Sequence, residues 1–268
     1  MLIALIDHCD PPMRTCSNCG APVDGPYCSE CGQKQATGRF TLRSVLSTAL
    51  AEMVNLERGA AATVYRLTVA PGSLIRDYWS RRTRPFVSPM RYFLFAVAVY
   101  QVVLWQTGAA RSIVRGALSG WQDGGEDLQP ITSQAEALQA FGEYFLLFFV
   151  AGVLILALVS RIGSSRNGAE ELIFHLYTWG HLALFWSLST VMGHAVPIPP
   201  ALEAVFGWGT LMLTAAYYVW ADVSAHRSDT DRPVWRATLE AVGTLFLFVV
   251  TYTFLAGTVA GFLIEMFS

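Results

Sequence analysis

The chain has 268 residues, of which 53% are hydrophobic and only 14% are charged. Soluble domains carry about 25% charged residues, so this deficit and a mean hydropathy of +0.41 weigh against a wholly soluble fold. The net charge of -2 excludes a globally basic chain of the kind that neutralises nucleic-acid phosphates.

The charge and the cysteines are unevenly spread. Ten of the 18 Lys and Arg residues precede residue 90, and all five cysteines lie within residues 9–31. The start of the chain, Met1 to Ile6, is apolar but too short for a signal-peptide core, and Asp7 follows without a basic flank. Residues 1–12 therefore read as a tail. Cys9 has no matching cysteine, and His8 beside it reads as an ordinary tail residue.

Residues 13–38 form a unit rich in cysteine, glycine and proline. Cys16-Ser-Asn-Cys19-Gly and Cys28-Ser-Glu-Cys31-Gly are two matching knuckles. The two-residue spacing lets both thiolates of a pair approach one ion, while Gly20 and Gly32 relieve the tight turn that follows. Four thiolates complete a closed tetrahedral site of the structural zinc type. So few residues cannot build a hydrophobic core, and metal binding would supply the folding energy. The competing readings are two disulfides, disfavoured in a reducing cytoplasm, and a redox pair, which fits two tandem knuckles less well. The knuckle segment 16–32 holds Asp24 and Glu30 but no Lys or Arg. That points to a protein partner and argues against nucleic acid.

Residues 39–88 are expected to form amphipathic helices at the cytoplasmic side or membrane surface. Leu42, Val45, Leu46, Ala49, Met53 and Leu56 follow helical spacing. A second segment, Ala60–Val69, ends before Pro71-Gly72. A third, Ser73–Arg82, sets Leu74, Ile75, Tyr78 and Trp79 among arginines. Two readings stay open for it. One is a helix in the headgroup region, with Arg76, Trp79, Arg81, Arg82 and Arg84 as surface contacts. The other is an amphipathic helix packed on its neighbours.

Residues 89–268 are expected to be a transmembrane domain with spans at about 90–107, 143–160, 172–192, 204–221 and 239–264, each near the roughly 20 residues that cross a hydrocarbon core. Buried helices of a soluble bundle are the alternative, but five such runs are hard to bury in so short a chain. Arginines alternate across the loops. Loop 108–142 holds only Arg111 and Arg115 against four acidic residues, and loop 193–203 holds none. The intervening loops carry Arg161 and Arg166, then Arg227, Arg232 and Arg236. Positive residues stay on the cytoplasmic side. The expectation is a multi-pass inner-membrane protein of bacterial type, N-terminus inside and C-terminus outside.

Several of these pieces occur together in one known group. Tyr27-Cys-Ser-Glu-Cys-Gly-Gln33, Pro71-Gly-Ser-Leu-Ile-Arg-Asp-Tyr78, Arg81-Arg82, Ser88-Pro-Met-Arg-Tyr-Phe-Leu-Phe95 and Ala169-Glu-Glu-Leu-Ile-Phe-His175 stand in that order. The chain thereby resembles a bacterial membrane family catalogued as a domain of unknown function, number 3667, over most of residues 16–260. The family pattern differs at Ser80-Arg81-Arg82, where it has a Gly-Lys-Arg-like triplet, and at Glu171, where it has a histidine. The resemblance implies a zinc ribbon followed by several spans and brings no reaction.

The third apolar run holds several polar groups. Glu171, His175 and Thr178 share one face by helical spacing, and Tyr177 with His181 forms a second stripe. In lipid such groups must face protein or water. They read either as ordinary interhelical hydrogen bonding or as a proton, metal or headgroup site. Gly257-Thr-Val-Ala-Gly261 permits close helix packing and a homo-oligomer. No phosphate loop, nucleophile elbow or His-Glu-x-x-His motif is present, so an enzyme ranks last. The leading expectation is a membrane-anchored scaffold or interaction protein that uses its zinc ribbon. The alternative is a transporter or lipid-handling component that uses the third run.

Overall fold

The structure is a computed structural model and describes residues 14–34, 40–42, 59–113, 115, 134–161, 166–196, 198–226, 235, 238–239 and 242–243. The tail 1–12, the linker 43–58, nearly all of the 239–264 run and the Gly257–Gly261 pair lie outside the described residues.

Two short strands, β1 (Arg14–Thr15) and β2 (Pro22–Val23), pair antiparallel beside the first knuckle. Helices make up the rest: α1 (Ala60–Val69), α2 (Pro71–Trp79), α3 (Pro89–Thr107), α4 (Gln134–Ser160), α5 (Gly168–Ala195) and α6 (Pro200–His226). The apolar runs beginning at 90, 143, 172 and 204 thus all lie on helices. Among the described residues, one segment, Gly142–Ser160, is long and apolar enough to cross a membrane by length and composition.

Helix starts follow from local chemistry. Pro71 and Pro89 open α2 and α3 within the first helical turn, where a missing N–H costs nothing. Asn167 caps α5, its side chain accepting from the backbone N–H groups of Ala169 and Glu170, while Glu170 accepts from the N–H of Asn167. This reciprocal box satisfies donors that would otherwise be orphaned. It also fixes where Glu170 and Glu171 enter the core.

The central pair is α3 against α5. They meet closely at Gly180, where an added Cβ would stand 3.1 Å from the Phe93 Cα. Around this seam Phe93, Ala96, Val97, Leu176, Leu182 and Ala183 are buried, together with Leu156 and Ala157 of α4. A second apolar cluster joins α2 to α5 and α6 through Leu74, Ile75, Tyr78, Ile173, Phe174, Tyr177 and Tyr218.

That second cluster matches the second of the two readings left open for residues 73–82, a helix packed on its neighbours. The helix runs from Pro71 to Trp79, and its apolar side faces protein: Leu74 and Ile75 are fully buried, and Tyr78, Trp79 and Phe86 nearly so. Protein therefore covers the residues expected to insert among headgroups. The reason is long-range. Helices α5 and α6 offer an apolar surface, and Gly72 lets the α2 backbone rest directly on Ser224 and Ala225. Burying a Leu or Ile side chain contributes about 1.5–3 kcal/mol, so this face is held by protein once α6 is in place.

Candidate functional site

Each knuckle is built by the same local hydrogen bonds. The Gly20 N–H donates to the Cys16 carbonyl at 2.9 Å, and the Cys16 N–H donates to Ala21 at 2.8 Å. The second knuckle repeats this with Gly32 to Cys28 at 2.8 Å and Cys28 to Gln33 at 2.9 Å. Gly20 and Gly32 both adopt the left-handed conformation, at φ 78° and 68°, which carries no Cβ penalty in glycine. The two turns bring Cys16, Cys19, Cys28 and Cys31 together, all four free, with every sulfur within 4.8 Å of the others. The Cys16 and Cys31 sulfurs lie 3.6 Å apart, as do those of Cys19 and Cys28.

This geometry suits one ion. Metal–sulfur bonds of about 2.3 Å in a tetrahedron set the sulfurs about 3.8 Å apart. The electrostatics also call for a cation. The backbone N–H of Cys19 does most to hold Cys16 low, at about 6. The N–H of Gln33 does the same for Cys31. The N–H of Ala21 favours the Cys19 thiolate, yet burial and the three other thiols push that group up to about 12. Amide dipoles thus favour thiolates that cannot all ionise beside one another, and a bound cation resolves the conflict. Among the described residues, the ribbon's apolar interior amounts to Cys16, Val23 and Cys28, with Ala21 and Cys31 against them. The four residues constitute a candidate metal centre.

The ribbon is latched to the segment between α2 and α3. Gln33 is buried; its Nε2 donates to Thr83 Oγ1 at 3.1 Å, and its Oε1 accepts the Arg84 backbone N–H at 3.0 Å. The Arg84 Nε donates to the Cys31 carbonyl, and the Arg82 Nε to the Ser17 carbonyl, both at 3.0 Å. Ser17 Oγ donates to the Arg81 carbonyl at 3.4 Å. Arg81 itself adopts φ 66°, and its guanidinium lies 3.5 Å from the centre of the Phe40 ring. Arg76 donates to the Ser224 carbonyl of α6. Trp79 Nε1 donates to the Glu170 carbonyl at 3.0 Å. Four of the five residues expected at the membrane surface, Arg76, Trp79, Arg82 and Arg84, thus direct side-chain hydrogen bonds to protein. The fifth, Arg81, packs on Phe40.

The polar residues of α5 separate into two places. Glu171 and His175 are buried, and they meet partners from α4 and α6. The Glu171 carboxylate lies 3.4 Å from His226 Nε2, and the Asp222 carboxylate lies 2.9 Å from His226 Nδ1. His175 Nε2 shares a hydrogen bond with Ser160 Oγ at 3.0 Å, and its ring stacks on Tyr218 at 6.1 Å. Thr178 is fully buried on the same face. His181 stands apart, with Nδ1 2.8 Å from the Tyr92 hydroxyl and Nε2 3.3 Å from Thr68 Oγ1. Tyr177 donates to the Val87 carbonyl. Glu171, His175 and His181 therefore do not line one cavity.

Sequence reasoning missed Asp222 and His226, which complete the Glu171 cluster, and Gln33, the centre of the latch. Asp222 and His226 stand four residues apart on a helix, a spacing that brings side chains together. Nothing local in the sequence pairs them with Glu171.

These features define a mostly helical chain with a four-cysteine cluster near its N-terminus. Residues 57–101 match the model of a family described as Protein of unknown function (DUF3667). No curated protein and no solved structure matches the chain significantly.

Proposed function

We propose that the chain is a multi-pass inner-membrane protein whose N-terminal ribbon binds one structural zinc ion and serves as a docking module for a cytoplasmic protein partner. The observation that carries this reading is the closed four-cysteine cluster latched to the 81–84 segment. A closed site leaves no open coordination position for catalysis, so its role is to shape a surface. Four thiolates at tetrahedral spacing suit zinc.

Exposed apolar side chains support the membrane part. Leu147 and Leu158 on α4, Val102 on α3, Leu188 on α5, and Trp208, Leu211 and Met212 on α6 are all exposed. Large apolar patches on several long helices mark surfaces covered by another apolar phase. The alternating arginines supply the orientation.

Two experiments test the reading. With Ser268 fused to a periplasm-active reporter or to a cytoplasm-active one, only the periplasmic fusion is expected to be active; activity from the cytoplasmic fusion alone would overturn the five-span topology. Crosslinking and affinity purification of the intact protein beside a Cys16→Ser, Cys28→Ser variant is expected to recover a partner with the wild type alone. Identical recoveries from both would remove the ribbon from partner binding.

The buried cluster of Glu171, His175, Asp222 and His226 favours a second reading, a transporter or lipid-handling component. Ionisable groups inside a helical bundle are costly and mark pathways where they occur.

A further inference from the structure

The Glu171 cluster has an unusual charge arrangement. His226 is the last residue of α6, and each of its ring nitrogens faces a carboxylate: Asp222 at 2.9 Å on Nδ1 and Glu171 at 3.4 Å on Nε2. A neutral imidazole carries one N–H and satisfies only one such partner. The imidazolium places a positive charge between the two carboxylates; its Nδ1 also lies 3.0 Å from the Asp222 carbonyl, and the Nε2–Glu171 approach is an ion pair without hydrogen-bond geometry. Glu171 is only 1% exposed, so an unpaired carboxylate there would be costly.

A second observation lies deeper on the same helix face. His175 Nδ1 and Thr178 Oγ1 are fully buried and have no hydrogen-bond partner among the described residues. They stand one and two turns inward from Glu171 on the same helix. Buried polar atoms in native proteins are nearly always satisfied, so orphans beside a charged group point to something bound.

We propose that Glu171, Asp222 and His226 form a proton-binding site where the start of α5 meets the end of α6, with His175 as a neutral inner member that receives hydrogen bonds from water. The bound proton turns His226 into an imidazolium that joins the two helices. Its release leaves neutral imidazole hydrogen-bonded to one carboxylate, with the other carboxylate uncompensated. Passing the proton from His226 Nε2 to Glu171 instead gives an imidazole and a carboxylic acid, with no change in total charge.

The surroundings are consistent with a held positive charge. Helix α5 contributes Glu170, whose carboxylate accepts the Asn167 N–H, and α6 contributes Tyr218. Helix α2 contributes the Trp79 ring, 5.3 Å from that of His226, and Arg76, whose guanidinium is turned to the Ser224 carbonyl. Arg166 covers the Trp79 ring at 4.3 Å. Burial works against the charge on His226, but the hydrogen bonds and charges of Asp222 and Glu171 prevail and raise its pKa to about 10. A raised histidine pKa stabilises the fold fully below the unfolded value of about 6.5, and the contribution is lost as pH rises through about 10.

The test is nitrogen NMR of the intact protein in lipid nanodiscs with its five histidines isotopically labelled. One imidazole pair absent from His226→Gln is expected to show imidazolium shifts from pH 6 to beyond pH 8. Asp222→Asn and Glu171→Gln, which keep His226, are each expected to lower that titration by at least one pH unit. His175, assigned by its loss in His175→Gln, is expected to remain neutral at pH 7. A His226 signal that titrates at or below pH 7, or one unmoved by both carboxylate variants, overturns the proposal, and so does a charged His175. Because the two carboxylate variants change side chains by a single atom, they keep the test open even where His226→Gln misfolds.

Discussion

Replacing Cys16 and Cys28 together by serine is expected to reduce the metal content of the purified full-length protein from about one equivalent per chain to none. Each knuckle then keeps one thiolate, and two cannot close a tetrahedral site. Among the described residues the ribbon has almost no apolar interior to fall back on, since Cys16 and Cys28 are themselves most of it. Structural zinc supplies about 10–16 kcal/mol to comparable small peptides, far more than the short β1–β2 pairing can replace. Loss of the metal is also expected to release the latch, because Arg84 and Arg82 donate to carbonyls of Cys31 and Ser17 that only the folded knuckles hold in place. Hydrogen exchange should then rise at the Arg84 amide, which donates to Gln33, and within residues 16–34. Full metal content in the double variant, or a wild-type protein that binds none, would end the metal-centre reading.

Gly72→Leu is expected to be among the most destabilising single substitutions in the helical part. A Cβ at this position would lie 2.3 Å from the Ser224 carbonyl carbon and 2.6 Å from the Ala225 nitrogen. Both are backbone atoms and cannot rotate aside as a flexible side chain does. Overpacking of a core costs about 1–3 kcal/mol and occasionally more; a rigid backbone contact belongs at or beyond the upper end. The outcome is α2 displaced from α6, with Leu74 and Ile75 uncovered and the Arg76 hydrogen bond to Ser224 broken. Thermal melts in detergent should show a loss of several degrees or more. Gly207→Ala on the same helix α6 is the control, because among the described residues nothing lies within 4 Å of its added Cβ. Equal melting temperatures for the two variants would show that α2 does not rest on α6 at this point.

The cluster of Cys16, Cys19, Cys28 and Cys31 was legible because each knuckle closes through hydrogen bonds spanning five residues or fewer. The spacing of the cysteines and the glycine after each pair contain the whole turn. The helices were legible for a similar reason, since long apolar runs are a local signal; their starts at Pro71, Pro89 and Asn167 came from the structure. The resemblance, carried by ordered short motifs, likewise agrees with the match over residues 57–101.

What covers each helix face was a different matter. Leu74, Ile75, Tyr78 and Trp79 among arginines describe an amphipathic helix equally well whether lipid headgroups or protein cover its apolar side. The sequence by itself determined the four-cysteine cluster and the helical segments, since both follow from contacts between near neighbours. Only the tertiary structure decided that α2 is covered by α5 and α6, and that Gln33 is joined to Thr83 across fifty residues. It alone set Glu171 against His226 rather than His181. Those outcomes depend on shape complementarity and on charge compensation between distant segments, which no spacing rule along one segment encodes.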